Sequence, residues 1–120
     1  MQCRRHTFII RPLLCSDATH YTMIKSFRHK GVMAYFMTGS QAGIQSKHAE
    51  RLHIQLTALN AATQPMDMNV SGWKLHKLAG KNPKGQTIEG HWAVTVNSNW
   101  RLTFCFVGQD ATLVDYQDYH

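Results

Sequence analysis

The chain lacks most of what marks a secreted, membrane-spanning or metal-organised protein. Its three cysteines, Cys3, Cys15 and Cys105, are odd in number, far apart and outside any CxxC pair. Neither a disulfide framework nor a zinc ribbon is supported, and a reducing cytoplasm is the expected compartment. No apolar run approaches the roughly 20 residues that cross a bilayer, and Phe8-Ile9-Ile10 is cut short by Arg11 and Pro12. Arg4 and Arg5 before that stretch have the outline of a signal peptide. The h-region ending at Leu13-Leu14 is stunted, however, and no small-residue cleavage site follows, so export is rejected. Acidic residues are scarce: 7 Asp plus Glu stand against 13 Lys plus Arg, giving a net charge of +6 and a pI of about 9.5. That balance favours a polyanionic partner. At 17% charged and 43% hydrophobic residues over 120 positions, the composition excludes a disordered tail and fits a single folded domain.

Familiar catalytic signatures are missing too. His48 and His53 share one expected helix, but a spacing of five puts them on different sides, and no HExxH accompanies them. No GxSxG elbow is present, and Gly85 is not followed by the Lys-Ser/Thr that a P-loop needs. No metal or other cofactor is expected.

What is present is a change of pattern at Met23. Residues 1–22 show no sustained period and read as an N-terminal extension, either untranslated, with Met23 as the start, or disordered; residues 23–120 read as the domain. Residues 23–27 alternate as a short strand. Residues 31–38 carry Val32, Tyr35 and Phe36 at helical spacing, with Gly39 as the stop. Ser46 is a good N-cap for a second helix that buries Ala49, Leu52, Leu56 and Leu59 and leaves Lys47, Glu50, Arg51 and Gln55 outside. A strand over 73–78 and a basic, turn-rich loop over 80–86 follow. Residues 91–97 and 100–107 then alternate as a hairpin around Asn97-Ser98-Asn99, and 111–116 supply a last strand. The order predicts an α+β fold with two helices on one face of a small, mainly antiparallel twisted sheet.

Arg101 has the opposite parity to Trp100, Leu102 and Phe104, so it shares a sheet face with Thr103 and Cys105. Alone, such an arginine reads as a surface ion pair, with Asp115 an eligible partner. In company with His76, the basic residues Lys77, Lys81 and Lys84, and the terminal Asp118-Tyr119-His120, it also reads as a phosphate clamp. Imidazoles titrate near about 6.5 and move protons to and from hydroxyls. Lysines neutralise phosphate oxygens. Period alone does not bring these groups together.

The segments IKSFRHKG (24–31), WKLH (73–76), GHW (90–92), NWRLTF (99–104) and VDYQDYH (114–120), in this order and spacing, resemble the HigB toxins of bacterial toxin–antitoxin systems, the plasmid maintenance killer branch of the RelE/ParE superfamily. The resemblance spans residues 23–120. It implies a RelE-like fold and a ribosome-dependent endoribonuclease that cuts mRNA in the A site without a metal. The ribose 2′-OH attacks the adjacent phosphate and leaves a 2′,3′-cyclic phosphate. By motif it assigns His76, Arg101, Asp118, Tyr119 and His120 to catalysis, with either histidine as acid or base. Lys77, Lys81 and Lys84 are left for RNA binding. It further implies a HigA-type helix-turn-helix antitoxin, and operator DNA bound through that complex. One departure stands out. Many members read KLHPLKG, whereas here Lys77 replaces the proline and Ala79 the lysine; Lys81 or Lys84 is the expected replacement for the lost charge. Two other readings remain: a ParE-like, gyrase-directed toxin without RNase chemistry, and a degenerate toxin that only binds its antitoxin.

Overall fold

The computed structural model describes Phe8, Ile9 and residues 24–119. Its strands are β1 (Phe8–Ile9), β2 (Ser26–Phe27), β3 (His76–Lys77), β4 (Trp92–Asn97), β5 (Trp100–Val107) and β6 (Asp110–Asp118). They form one sheet in the order β1-β2-β6-β5-β4-β3, in which β2 and β6 are parallel and every other neighbouring pair antiparallel. Helices α1 (Lys30–Thr38) and α2 (Ala49–Ala61) precede the meander in sequence. This is the expected α+β arrangement.

The apolar parity of the strands decides which face the helices cover. Val94, Val96, Leu102, Phe104, Val114 and Tyr116 are buried with Val32 of α1 and Leu52, Leu56 and Leu59 of α2 in one core. Burying each such aliphatic side chain contributes roughly 1.5–3 kcal/mol, so the helix layer is held chiefly by this stripe. Polar clamps fix its register. Tyr35 Oη donates to Ala49 O at 2.7 Å, and Asn60 Oδ1 accepts from Ile24 N at 3.0 Å. Gln55, expected outside, is fully buried, and its Nε2 donates to Thr95 O at 2.9 Å. It sits three residues after Leu52 and one before Leu56, so the helical period carries it into the stripe whatever its polarity.

Helix α1 is closed at both ends. The His29 ring accepts from Val32 N at 3.0 Å, and Gly39, left-handed at φ 85°, returns its N–H to Tyr35 O at 2.8 Å. The expected Ser46 N-cap is not what starts α2. Ser46–His48 form a 3-10 turn, with His48 at the cap position. The reason is tertiary: His48 is buried, with its Nδ1 at 2.6 Å from Tyr116 Oη and its ring edge-on to Trp100. The strand expected over 73–78 shrinks to His76–Lys77 because Lys74 adopts a left-handed φ of 53°, which breaks the extended run.

Candidate active site

Pairing register places a line of side chains across the face of the sheet opposite the helices, exposed at His76 and buried at Ala93, Thr103 and Asp115. His76 pairs with Ala93, Ala93 with Thr103, and Thr103 with Asp115. Paired residues share a face, so these four cross β3, β4, β5 and β6 in one rung, about three strand spacings or roughly 14 Å end to end. The next rung holds Thr95, Arg101 and Gln117. Ala93 and Thr103 are small, so the rung forms a trough with His76 on one bank and Asp115 on the other.

His76 is exposed on the short strand β3. Its Nδ1 lies 2.9 Å from Lys74 O. A carbonyl only accepts, so Nδ1 carries a proton, and in the neutral ring Nε2 is the acceptor. The left-handed turn at Lys74 is what aims that carbonyl back at the ring two residues later. Arg101 is held by the β4–β5 turn. Its Nη1 donates to Ser98 O at 2.7 Å and to Trp100 O at 3.2 Å. Both contacts use one amino group; Nη2 and Nε make no hydrogen bond among the described residues, the geometry of a fork ready for an anion. Asp115, considered above as the partner of Arg101, lies instead across from Thr103.

After β6, Tyr119 N donates to Asn99 O at 2.8 Å, which turns the tail along the β4–β5 turn. Tyr119 Oη is buried and has no hydrogen-bond partner among the described residues. Burial and the Asp115 carboxylate push its phenol above the usual pKa of 10.0, against the opposing fields of Arg101 and Arg28. It therefore stays a neutral hydrogen-bond donor. Asp115 is 7% exposed and accepts from Tyr116 N at 2.9 Å. Burial holds its carboxyl above the ordinary 3.8, although that hydrogen bond and the charges of His29, Arg28 and Lys84 pull it down.

The structure does not bring all the expected residues here. Lys77 pairs with Trp92, on the helix-covered face, and its Nζ lies 5.7 Å from the centre of that ring. Lys81 is exposed and bridges Thr87. Asp118 pairs with Trp100 and lines a separate cavity of about 210 Å³ with Lys47, His48 and the turn residues Asn97, Ser98 and Asn99. Adjacent residues of a strand face opposite ways, so neither Lys77 beside His76 nor Asp118 beside Tyr119 can join the same trough. Lys84 does join, as its charge bears on both Asp115 and His29. His120 lies outside the described residues, as does the extension apart from Phe8 and Ile9, which pair with Phe27 and Ser26.

Sequence reasoning missed Arg28, His91 and Thr103. Arg28 N donates to Val114 O at 2.7 Å beside the parallel β2–β6 pairing. Its charge bears on Asp115, Tyr119 and His91. Thr103 Oγ1 and His91 Nδ1 are buried polar atoms with no partner among the described residues. Parity marked Thr103 as a neighbour of Arg101; nothing local marked the other two. Among the described residues no three His, Cys, Asp or Glu side chains come together as a metal ligand set, and no helix is long and apolar enough to cross a membrane.

Residues 25–120 match the family described as the RelE-like toxin HigB of type II toxin–antitoxin systems. The chain belongs to the HigB-like toxin family. It is also 40% identical, over 98 residues, to the Endoribonuclease HigB of Proteus vulgaris, an alignment that covers 82% of this chain and 100% of that relative. Membership of a HigB-like, type II family implies a cognate antitoxin as partner. The trough carries an imidazole, a guanidinium and a phenol on the sheet face opposite the helices.

Proposed function

We propose that this chain is an endoribonuclease toxin that cuts mRNA in the ribosomal A site by metal-free attack of a ribose 2′-OH on the adjacent phosphate. The observation that carries the reading is the shared face of His76, Arg101 and Tyr119, with the His76 Nδ1–H tied to Lys74 O. A ring whose Nδ1 proton is engaged by a carbonyl presents Nε2 as a base. His76 therefore takes the 2′-OH proton as that oxygen bonds to phosphorus. Arg101 meets the charge that builds on the phosphoryl oxygens, and the Tyr119 hydroxyl donates to the same group. The 5′-oxygen leaves with a proton supplied by His120, giving a 2′,3′-cyclic phosphate. Each proton lost is matched by one returned. Asp118 anchors the tail from the opposite face, beside Trp100, so that Tyr119 is held at the trough.

The mRNA is presented by the ribosome, and the surplus of basic residues suits that RNA-rich surface. A HigA-type helix-turn-helix antitoxin neutralises the toxin, and operator DNA is met only through that complex. Ala79, where many relatives carry lysine, favours one other reading, a degenerate toxin that only binds its antitoxin. Induced expression of the full chain, with mRNA 5′ ends mapped beside a His76→Ala control, separates these. Cuts within translated codons that vanish in the control support the nuclease. Growth arrest with DNA-damage signalling and no cuts points to a ParE-like, gyrase-directed toxin, and normal growth points to the degenerate one.

A further inference from the structure

The trough has a second bank that the reaction above does not use. Parallel pairing of Phe27 with Val114 puts the next residues, Arg28 and Asp115, side by side on the face opposite the helices. Lys84 reaches the same place from another direction. The β3–β4 connection is a hairpin arm: Leu78 N donates to His91 O, Ile88 N to Gly80 O and Asn82 N to Gln86 O, all at 2.8–2.9 Å, with Lys81 bridging Thr87. Ile88 and Asn82 are buried, so the arm lies against the body rather than projecting from it. Asn82 organises the tip. Its Oδ1 accepts from Lys84 N and from Gln86 N, each at 2.9 Å, and its Nδ2 donates to Gln86 Oε1 at 2.8 Å. Those bonds fix the backbone that carries Lys84, whose charge bears on Asp115.

Two cations thus converge on one buried carboxyl. Two cations against one carboxyl leave a net positive charge on this bank, and Arg28 is half-buried and Lys84 exposed. Beside it, Thr103 (1% exposed) and His91 (4% exposed) hold polar atoms, Oγ1 and Nδ1, that have no partner among the described residues. Those atoms lie out of reach of solvent, so it is the accessible pair of cations that has the composition of an anion subsite.

We propose that Arg28 and Lys84 form a second phosphate subsite at the rim of the trough, which holds the RNA phosphate next to the one being cut, and that Asn82 is the residue that positions Lys84. The assignment builds on the RNA-cleaving reading but concerns binding. It can therefore be tested where no cutting occurs.

The test is equilibrium binding of the full chain to a short single-stranded RNA made uncleavable by 2′-O-methylation of every sugar, followed by fluorescence anisotropy over a range of salt. On a single strand, each cation withdrawn from a phosphate lowers the slope of log K against log salt by about 0.7. Arg28→Gln and Lys84→Gln are expected each to weaken binding about tenfold and to lower the slope by that amount, whereas Lys47→Gln, on the other face, leaves both unchanged. Asn82→Ala should reproduce Lys84→Gln and add nothing in the Lys84→Gln background. A merely structural Asn82 would change the melting temperature and not the salt slope. Slopes unchanged in Arg28→Gln and Lys84→Gln, or no binding by the parent chain, overturn the subsite. Binding as expected without any mRNA cuts in cells would leave the subsite standing and remove the nuclease reading.

Discussion

Mild acid should destabilise this protein, and the structure gives both the sign and the scale. His29, His48 and His91 all have pKa values below the ordinary 6.5, each chiefly through burial; Lys47 adds to the effect at His48 and Arg28 at His91, while at His29 Asp115 opposes it. The unfolded chain therefore takes up these protons first. Stability is fully present above about pH 6.5 and is lost as pH falls through 6.5 toward the folded values, at up to about 1.4 kcal/mol per pH unit for each histidine. Three together give at most about 4 kcal/mol per unit, a large share of the 5–15 kcal/mol typical of a domain. Asp115 acts in the opposite sense, since its folded pKa is raised above 3.8. The folded state keeps a proton that the unfolded state releases, so this group recovers stability as pH falls through the folded value.

Each histidine has a local reason to resist protonation. His29 Nδ1 accepts the Val32 N–H that caps α1, so a proton there displaces a cap worth about 1 kcal/mol. His48 sits under Tyr116 with a buried, unpaired Nε2, and His91 has a buried, unpaired Nδ1, among the described residues. Urea denaturation followed by tryptophan fluorescence between about pH 7.5 and pH 5.5 measures the slope. His29→Asn keeps a capping acceptor without an ionisable ring and should reduce the slope by about a third. An unfolding free energy that stays flat over this range would refute the reasoning.

Other outcomes are expected from single positions. His76→Ala, at an exposed ring, should leave the melting temperature unchanged and lower mRNA cleavage by about 10²–10⁴-fold, read by primer extension. Lys74→Gly removes the left-handed strain at φ 53° and should stabilise the fold by about 1 kcal/mol in urea titration; a loss of stability would show that Lys74 contributes through its side chain. Gly31→Ala should cost about 1–3 kcal/mol, because a Cβ at Gly31 meets the Gly43 backbone, with its Cα at 2.8 Å. Tyr119→Phe removes a hydroxyl that has no internal partner among the described residues, so stability should hold or rise while cleavage falls about tenfold; equal cleavage would remove the phenol from the mechanism.

How much of this was legible follows from which contacts are local. Period two alone separated Arg101 and Thr103 from the core residues between them, and it also separates Tyr119 from Asp118 and His76 from Lys77. The motif resemblance grouped Asp118 with Tyr119, and charge grouped Lys77 with His76; strand geometry divides both pairs. The meander was readable because its turns, at Ser98 and Gly108, take the left-handed conformations that end a strand. Arg28 was not readable, since it reaches the trough only through the parallel pairing of Phe27 with Val114, 87 residues apart in number. The same holds for Ser46, whose capping chemistry was overruled by the bond between His48 and Tyr116, and for Gln55, whose polarity hid a backbone partner on a strand 40 residues away.

The lysine that the motif resemblance expects at the position of Ala79 would sit three residues past His76, just beyond β3. On the proposed reading the basic group comes instead from Lys84, at the tip of an arm whose buried Asn82 fixes its backbone. Charge in the trough is thereby kept while its location moves, from the bank of His76 toward that of Arg28. An ammonium acts on a phosphate as a point charge and tolerates such a shift, whereas a guanidinium fork does not. That difference explains why Arg101 is fixed by two carbonyls of its own turn while the lysine is left to an arm. On the same reading, the geometry that must be exact for in-line attack is set by His76, Arg101 and Tyr119 on the sheet, and the arm supplies electrostatic depth.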